Sequence, residues 1–248
     1  MDNYRFNSIG HLHEICIDGE WRPLTGVTTI LQILAKPALI PWAVGMAIDY
    51  IKNNCQKDEL MRYLVNLADL EEAKSAHRKK KEEAGQKGTD VHAIIEKEIK
   101  EAIEKNEGFI SEFKFDREEL PQVKHFIKWA VGNKVKFLES EKHIWSKNLW
   151  IAGICDFVCE IGGEIYLGDI KTGSGIYPEA FAQLSGYQLM FEEMDIYKNI
   201  KGHIIVNLKK DGTFQEKRSI SLEDFKEFFL SCLKIYRVQE KIKGSIID

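Results

Sequence analysis

The chain has 248 residues, of which 44% are hydrophobic and 30% charged, and its formal net charge is −4. These values are ordinary for a globular protein of one large domain, or of one domain with an added lobe. The charge excludes a global basic surface of the kind that binds nucleic acid. The apolar runs are far shorter than the roughly 18 residues of a membrane span.

The N-terminus, MDNYRF, has neither a signal-peptide pattern nor an arginine-rich transit pattern. The five cysteines are odd in number and scattered, which predicts reduced thiols. We therefore expect a cytoplasmic protein that does not contact a membrane. No oligomeric state is predicted.

The first third of the chain is predicted to form a small hairpin followed by helices. Residues 12–24 have the pattern of the hairpin, and helices are expected up to Leu34 and over 41–53. Residues 57–84 have a charged helical pattern that contains the basic run Arg78-Lys79-Lys80-Lys81. This run predicts either a solvated helix face or an edge that contacts phosphate groups.

Two glycines, Gly85 and Gly88, interrupt the helical pattern, and a new helix is expected to begin near Thr89. We therefore predict two parts of the chain. Residues 1–84 would form a hairpin and helical lobe packed on the core, and residues 85–248 would form the core domain with a C-terminal helix.

The remaining elements alternate between helical and strand patterns. In chain order they are a helix over 117–138, a strand over 140–146, a hairpin around Gly162-Gly163, a helix from Pro178 to about Glu193, strands over 203–208 and up to Ile220, and a helix over 222–242. The core order is helix, strand, strand, strand, helix, strand. This order predicts a mixed α/β (α+β) fold with a central mixed β-sheet flanked by helices.

The hairpin carries the main candidate site. Gly162-Gly163 between two apolar, β-branched runs is a strong signal for a two-residue turn. Pairing across this turn places Asp156 directly opposite Asp169, at a non-hydrogen-bonded position. Like charges there destabilise a sheet, and a cation between them is the usual reason to keep them. Strand alternation puts Lys171 on the face of Asp169 and turns Ile170 away.

Other polar residues are candidates for the same site. Gln183 and Tyr187 are four residues apart and share a helix face. His92 lies at the edge of an apolar stripe, one turn before Glu96, where it is either a packing residue or a ligand. Glu141, on the strand before the hairpin, is expected to face the site if the turn register allows it.

The order of these motifs resembles the PD-(D/E)XK nuclease superfamily, and within it the RecB-like and phage exonucleases. The matching segments are Gly88-Thr89-Asp90-Val91-His92, Gly153-Ile154-Cys155-Asp156, Asp169-Ile170-Lys171-Thr172-Gly173, and Gln183 with Tyr187. The segment Gly26-Val27-Thr28-Thr29-Ile30-Leu31 looks like a segment of phage exonucleases and of the mitochondrial genome maintenance exonuclease. The resemblance spans roughly residues 85–210 and implies the family's αβββαβ core.

The resemblance also implies roles for individual residues. The implied catalytic residues are Asp156, Asp169 and Lys171. The implied ligands of a Mg²⁺ or Mn²⁺ ion are His92, Asp156, Asp169 and the backbone carbonyl of Ile170. The residues expected to brace the site or hold the substrate are Thr172, Gln183 and Tyr187, and the additional candidates are Glu96 and Glu141.

The resulting expectation is a metal-dependent deoxyribonuclease, an exonuclease that acts on DNA ends or single strands in recombination, repair or replication. If a phage encodes it, the host cytoplasm is its location. Some relatives hold an iron–sulphur cluster, but only Cys232 lies near the C-terminus here, so no cluster is expected.

Two alternatives remain open. One is a non-catalytic nucleic-acid-binding or assembly protein that retains the fold. The other is a small-molecule enzyme with Thr172-Gly173-Ser174-Gly175 as a phosphate cradle, although this loop lacks the P-loop or Rossmann glycine spacing.

Overall fold

The computed structural model describes residues 4–110, 121–209 and 211–245. The chain divides into two compact units, one of Met1–Ile33 with Val91–Asp248 and one of Leu34–Asp90. The boundaries of these units differ from those of the predicted lobe (1–84) and core domain (85–248). The predicted division into a lobe and a core domain stays a prediction. No helix among the described residues combines the length and apolar character needed to span a membrane.

The helices are α1 (Val27–Leu31), α2 (Leu39–Asn54), α3 (Leu67–Lys105), α4 (Pro121–Gly132), α5 (Pro178–Glu193) and α6 (Leu222–Lys243). The smaller unit contains α2 and the first part of α3. Both ends of the predicted helix over 57–84 were wrong. It begins later because Asn66 and Asp69 cap it reciprocally, each side chain accepting the backbone N–H of the other residue.

The expected break at Gly85 and Gly88 was also wrong, because α3 continues through both glycines. Thr89, the expected start of a new helix, lies inside α3, and its hydroxyl donates to the Gly85 carbonyl at 3.1 Å. Each glycine costs about 1 kcal/mol relative to alanine in a helix. Packing of the later turns of α3, where Val91, Ile95 and Ile99 are buried, is large enough to offset that cost.

Among the described residues, eight strands form one mixed sheet, as predicted. They are β1 (Tyr4–Asn7), β2 (Leu12–Ile17), β3 (Glu20–Gly26), β4 (Lys136–Ser146), β5 (Ile151–Ile161), β6 (Glu164–Lys171), β7 (Ile200–Leu208) and β8 (Phe214–Ser219). The spatial order is β1-β2-β3-β5-β6-β7-β8, with β4 paired to β5. The pairs β3–β5 and β6–β7 are parallel and the others are antiparallel.

The elements from α4 to β7 follow the predicted order of helix, three strands, helix and strand. The predicted helix over 117–138 was too long at its C-terminal end, and its residues 117–120 lie outside the described residues. It ends at Gly132, and β4 begins at Lys136 because β5 extends far enough to pair with it there. The prediction for α5 was correct at both ends.

Helices cover both faces of the sheet within the larger unit. The α3 and α4 side chains pack with Phe137, Phe157 and other sheet residues in one core cluster. On the other face α5 is buried along most of its length. Gly186 lets α6 approach α5, since a Cβ atom there would lie 2.9 Å from the Phe229 ring. The sheet is therefore buried on both faces around the hairpin.

A buried polar contact links β7 to α5. His203 is fully buried, and its Nε2 lies 3.0 Å from the Gln188 Oε1. The Gln188 amide group donates to Glu192, so its oxygen is the acceptor for His203. Burial, with a smaller effect from Lys226, lowers the pKa of His203 to about 3. His203 is therefore neutral in the folded protein at neutral pH.

We expect His203→Gln to reduce the acid sensitivity of the fold. The pKa of His203 in the folded state lies below its ordinary value of 6.5. The neutral ring therefore contributes its full stability above about pH 6.5, and this contribution is lost as the pH falls toward 3. Relative to the variant, the wild type should lose up to about 1.4 kcal/mol per pH unit in this range.

Urea unfolding of both proteins between about pH 4 and pH 7 measures the difference. His125→Gln, a substitution of a half-buried histidine on α4, serves as the control and should follow the wild-type curve. Parallel curves for the wild type and His203→Gln would contradict the expectation.

Candidate functional site

The ladder between β5 and β6 has the predicted register, but it is shorter than predicted. It runs from the Gly162-Gly163 turn to the pair Phe157 and Gly168. The next pair, Asp156 with Asp169, was expected to be a direct cross-strand pair and is not part of the ladder. The Ile170 N–H instead donates to the Asp156 carboxylate, over 2.7 Å. The two strands therefore part at the position of the predicted carboxylate pair.

Glu141 interrupts the ladder on the other side of β5. Its neighbours Ser140 and Lys142 both pair with β5, whereas Glu141 and Asp156 do not appear among the paired residues. The φ angle of Glu141 is 49°, in the left-handed region that is uncommon for residues other than glycine. One ligand atom each from His92, Glu141 and Asp156 lie within 4.8 Å of one another. Glu141, an additional candidate from the sequence, thus lies in the cluster.

His92 reaches this cluster from α3. Its Nδ1 lies 3.7 Å from the Asp156 Oδ2, and its side chain is 31% exposed. Burial is the main influence and lowers the pKa of His92, whereas Asp169 and a hydrogen bond with the Ile170 backbone oppose this shift. Glu96 lies one turn further on, and its carboxylate pairs with Lys100 at 2.5 Å.

Asp169 belongs to a second group of contacts, under α5. Lys171 Nζ donates to the Asp169 Oδ1 at 2.9 Å and to the Gln183 Oε1 at 3.1 Å. The Gln183 amide donates to the Asp169 Oδ1 at 3.1 Å and to the Tyr187 hydroxyl at 2.9 Å. Gln183 and Tyr187 were predicted to share a helix face, and this is the face of α5 that covers the site. Thr172 follows Lys171 directly and is half-buried in the loop to α5.

One oxygen of Asp169 remains without a hydrogen bond. Oδ2 is buried and lies 2.8 Å from Lys171 Nζ, but this contact lacks hydrogen-bond geometry. The pair is therefore an ion pair that leaves lone pairs of a buried carboxylate unsatisfied. Such an oxygen is a favourable ligand for a cation.

The carboxylates of the site have raised pKa values. Burial raises the pKa of Asp169 to about 6, with a further increase from Asp156 and opposition from Lys171. Burial also raises the pKa of Asp156, opposed by Lys171 and the Ile170 N–H. Burial, Asp156 and Glu96 raise the pKa of Glu141 to about 8. Repulsion between the aspartates, the cause expected from the sequence, is therefore secondary to burial.

The donor atoms fit a divalent cation. Carboxylate oxygens suit Mg²⁺ and Mn²⁺, and an imidazole nitrogen among them shifts the preference toward Mn²⁺. A bound cation would also stabilise the ionised forms of carboxylates whose pKa values burial has raised. His92, Glu141 and Asp156 are close enough together to hold one ion. Asp169, also a predicted ligand, is not part of this group and keeps one oxygen without a hydrogen bond.

Gly153 explains how α5 comes so close to β5. A Cβ atom at this position would lie 2.4 Å from the Tyr187 Cε1, closer than side-chain carbons approach. The Tyr187 ring therefore occupies the space that a side chain at residue 153 would need. The Gln183 amide group donates a hydrogen bond to the Tyr187 hydroxyl and another to Asp169. The packing of Tyr187 on Gly153 therefore also positions this amide group over Asp169.

One residue of the site region was not singled out from the sequence. Asn207 on β7 is the ladder partner of Lys171 and is fully buried. The feature of the sequence that could have identified Asn207 is that it is the single amide residue in the otherwise apolar run from Ile204 to Leu208.

No protein-family model matches the chain, and no curated protein matches it in sequence. Among solved structures, an alkaline exonuclease (LHK-Exo) from Laribacter hongkongensis is similar with 10% identity and a TM-score of 0.37, over 90% of this chain and 93% of that chain. The structure of SSO0001 has 15% identity and a TM-score of 0.27, over 46% of this chain and 56% of that chain. These scores are too low to assign a function.

We expect Asp156→Asn to stabilise the metal-free protein and to weaken its response to metal. The new amide group keeps an oxygen that accepts the Ile170 N–H. The substitution also removes a buried carboxyl group whose pKa is raised. In chelator, the variant should unfold at the wild-type temperature or a few degrees above it, since about 1 kcal/mol corresponds to roughly 2–4 °C at this size. With saturating Mg²⁺ the order should reverse, because the wild type gains more stability from the ion.

Thermal melting in chelator and in Mg²⁺ tests this order. Asp195→Asn, which removes an exposed carboxylate paired with Lys198, should leave both melting temperatures unchanged. An Asp156→Asn protein much less stable than wild type in chelator would show that Asp156 is a structural residue.

We expect Gly153→Ala to destabilise the fold by about 1–3 kcal/mol, because its methyl group would overlap the Tyr187 ring. In the double variant with Tyr187→Leu, the two losses should be less than additive, since the smaller side chain removes the clash. Gly173→Ala is the control, because a Cβ atom there meets no atom of the described residues within 4 Å. Additive losses, measured by urea unfolding, would refute the contact.

Proposed function

We propose that the protein is a metal-dependent nuclease of the PD-(D/E)XK type. The observation that carries this proposal is the position of Lys171. Its ammonium group donates hydrogen bonds to the buried Asp169 and to Gln183. These residues lie beside the cluster of His92, Glu141 and Asp156. A lysine next to a carboxylate cluster that can hold a cation suits phosphodiester hydrolysis, because it combines metal activation of water with stabilisation of negative charge.

Each part of the site has a chemical task in this proposal. Hydrolysis needs an activated water molecule and neutralisation of the charge on the phosphate. A divalent cation, when bound, supplies Lewis acidity and lowers the pKa of its water. Asp156, Asp169, His92 and Glu141 would hold it, with the Ile170 carbonyl as the further ligand that the resemblance implies.

The neighbouring residues would orient the reacting groups. The Ile170 N–H fixes the Asp156 carboxylate, and Gln183 fixes both Asp169 and Lys171. The Lys171 ammonium would orient the attacking water or stabilise negative charge that develops on the phosphate. Its side chain is 34% exposed, so a substrate can reach it. Thr172 and Tyr187 would hold the substrate backbone or brace the site.

The order of the motifs supports the finer part of the proposal. It favours an exonuclease similar to the RecB-like, phage and mitochondrial genome maintenance enzymes, which acts on DNA ends or single strands. The proposed setting is recombination, repair or replication in the cytoplasm, or in the host cytoplasm if a phage encodes the protein. Mg²⁺ or Mn²⁺ is the proposed cofactor and DNA the proposed partner.

The test is incubation of labelled linear DNA and covalently closed circular DNA with the purified protein. Linear DNA should be degraded with Mg²⁺ or Mn²⁺ and should remain intact in chelator, whereas closed circles should persist. Rapid nicking of closed circles would indicate an endonuclease. Undiminished hydrolysis in excess chelator would refute the proposed site.

Two lysine variants separate catalysis from general effects of charge. Lys171→Ala should lower the turnover by about 10²–10³-fold, as expected for loss of a group that stabilises developing charge. Lys142→Ala is a matched control, because this lysine is 33% exposed and its ammonium group lies 2.8 Å from the carboxylate of Glu139 on the same strand, β4. It should keep the wild-type turnover. DNA binding without hydrolysis in the wild type would favour the non-catalytic alternative.

A further inference from the structure

Asn207 is a buried amide without a hydrogen-bond partner. Its side chain is completely inaccessible to solvent, and neither Oδ1 nor Nδ2 is bonded to another described group. An unsatisfied buried polar group costs about 1–3 kcal/mol. An apolar side chain of similar shape, such as leucine, would avoid that cost. The residue is therefore unexplained by the stability of the fold described here.

The ladder partner of Asn207 is Lys171. Residues paired in a parallel ladder lie roughly 4.8 Å apart and direct their side chains to the same face of the sheet. The amide of Asn207 thus lies beside the stem of Lys171, on the side away from β5. The ammonium group has three donors, of which one is accepted by the Asp169 Oδ1 and one by the Gln183 Oε1.

Binding of a divalent cation would free a donor of Lys171. The ammonium group now lies 2.9 Å and 2.8 Å from the two oxygens of Asp169. A cation held by the same carboxylate would compete for these oxygens and repel the ammonium group. Lys171 would then keep its bond to Gln183 and need another acceptor close to its stem.

We propose that Asn207 is a positioning residue for Lys171, whose Oδ1 accepts an N–H of the ammonium group when a divalent cation occupies the Asp169 carboxylate. The amide holds Lys171 over the sheet in that state and keeps it from turning into solvent. This inference rests on the proposed function for the identity of the site and adds a residue from β7 to it.

A competing explanation involves only the interior of the fold. Other buried atoms of the described residues also lack partners, among them the Ser185 Oγ on α5 and the His203 Nδ1 on β7. A water molecule shared with such atoms would satisfy Asn207 without any role for Lys171. Ser185→Ala therefore provides the matched control, because it removes an unpaired buried polar atom from α5 but no ladder partner of Lys171.

The test is NMR of the protein with ¹⁵N-labelled lysine, in chelator and with saturating Mg²⁺. The Lys171 ammonium resonance is identified by its loss in Lys171→Arg. In the wild type it should persist in both conditions. In Asn207→Leu it should persist in chelator, but hydrogen exchange should be at least tenfold faster with Mg²⁺. Ser185→Ala should behave as the wild type.

Asn207→Asp keeps an acceptor in the same place and should restore the wild-type resonance with Mg²⁺. In the DNA assay, Asn207→Leu should have a turnover at least tenfold lower with an unchanged KM, and its melting temperature in chelator should equal or exceed that of the wild type. A Mg²⁺-loaded Asn207→Leu protein with a protected Lys171 resonance would overturn the inference, as would failure of Asn207→Asp to restore it.

The outcomes separate this inference from the proposed function. One possible result is that the wild type does not hydrolyse DNA, while the Lys171 resonance of Asn207→Leu is lost with Mg²⁺. This result would support the positioning role and refute the nuclease. Hydrolysis by the wild type, with no effect of Asn207→Leu on the resonance or turnover, would overturn the positioning role alone.

Discussion

The hydrogen bond from the Ile170 N–H to the Asp156 carboxylate is the contact on which the candidate site depends. It satisfies a backbone donor of β6 at the point where the ladder with β5 has ended. Because this donor is satisfied by a side chain, β6 can leave β5 without the cost of an unpaired buried N–H. Asp156 then lies near His92 and Glu141, and Asp169 lies under α5. A continuous ladder would have kept the two aspartates side by side.

In the metal-free protein, Lys171 acts as an internal counter-ion. It neutralises Asp169, which is 2% exposed, and it opposes the rise in the pKa of both aspartates. The compensation is incomplete, because the pKa of Asp169 remains raised and its Oδ2 has no hydrogen bond. The fold thus carries an electrostatic cost that a bound cation would remove. Sites that are organised before ligand binding commonly carry such a cost.

Local chemistry was enough to predict the elements with strong boundary signals. Gly162 and Gly163 both have positive φ angles, 62° and 84°, as the predicted two-residue turn requires. Pro178 begins α5 in the position that proline favours in a first helical turn. The register of β5 and β6 followed from the turn. Glycine can adopt the positive φ angles that the turn requires, and proline fixes φ at a value that suits a first helical turn.

Features that depend on distant packing could not be read in the same way. Gly85 and Gly88 usually weaken a helix, but the buried later turns of α3 belong to the same continuous helix. Counting residues from the turn assumes that a ladder continues, and nothing local in the sequence marks its end at Phe157 and Gly168. Asn207 was missed for a related reason, because its link to Lys171 exists only in the parallel pairing of β6 with β7.

The contact between Gly153 and Tyr187 joins two motifs that appear independent in the sequence. Gly153 and Asp156 lie on the same strand, three residues apart, and Gln183 and Tyr187 lie on the same helix, four residues apart. Tyr187 packs where a side chain of residue 153 would be, and Gln183 bonds to Asp169 and Lys171. The glycine of the first motif is thus needed because of the tyrosine of the second. A larger residue at 153 would displace α5, and the amide that holds Asp169 and Lys171 would move with it.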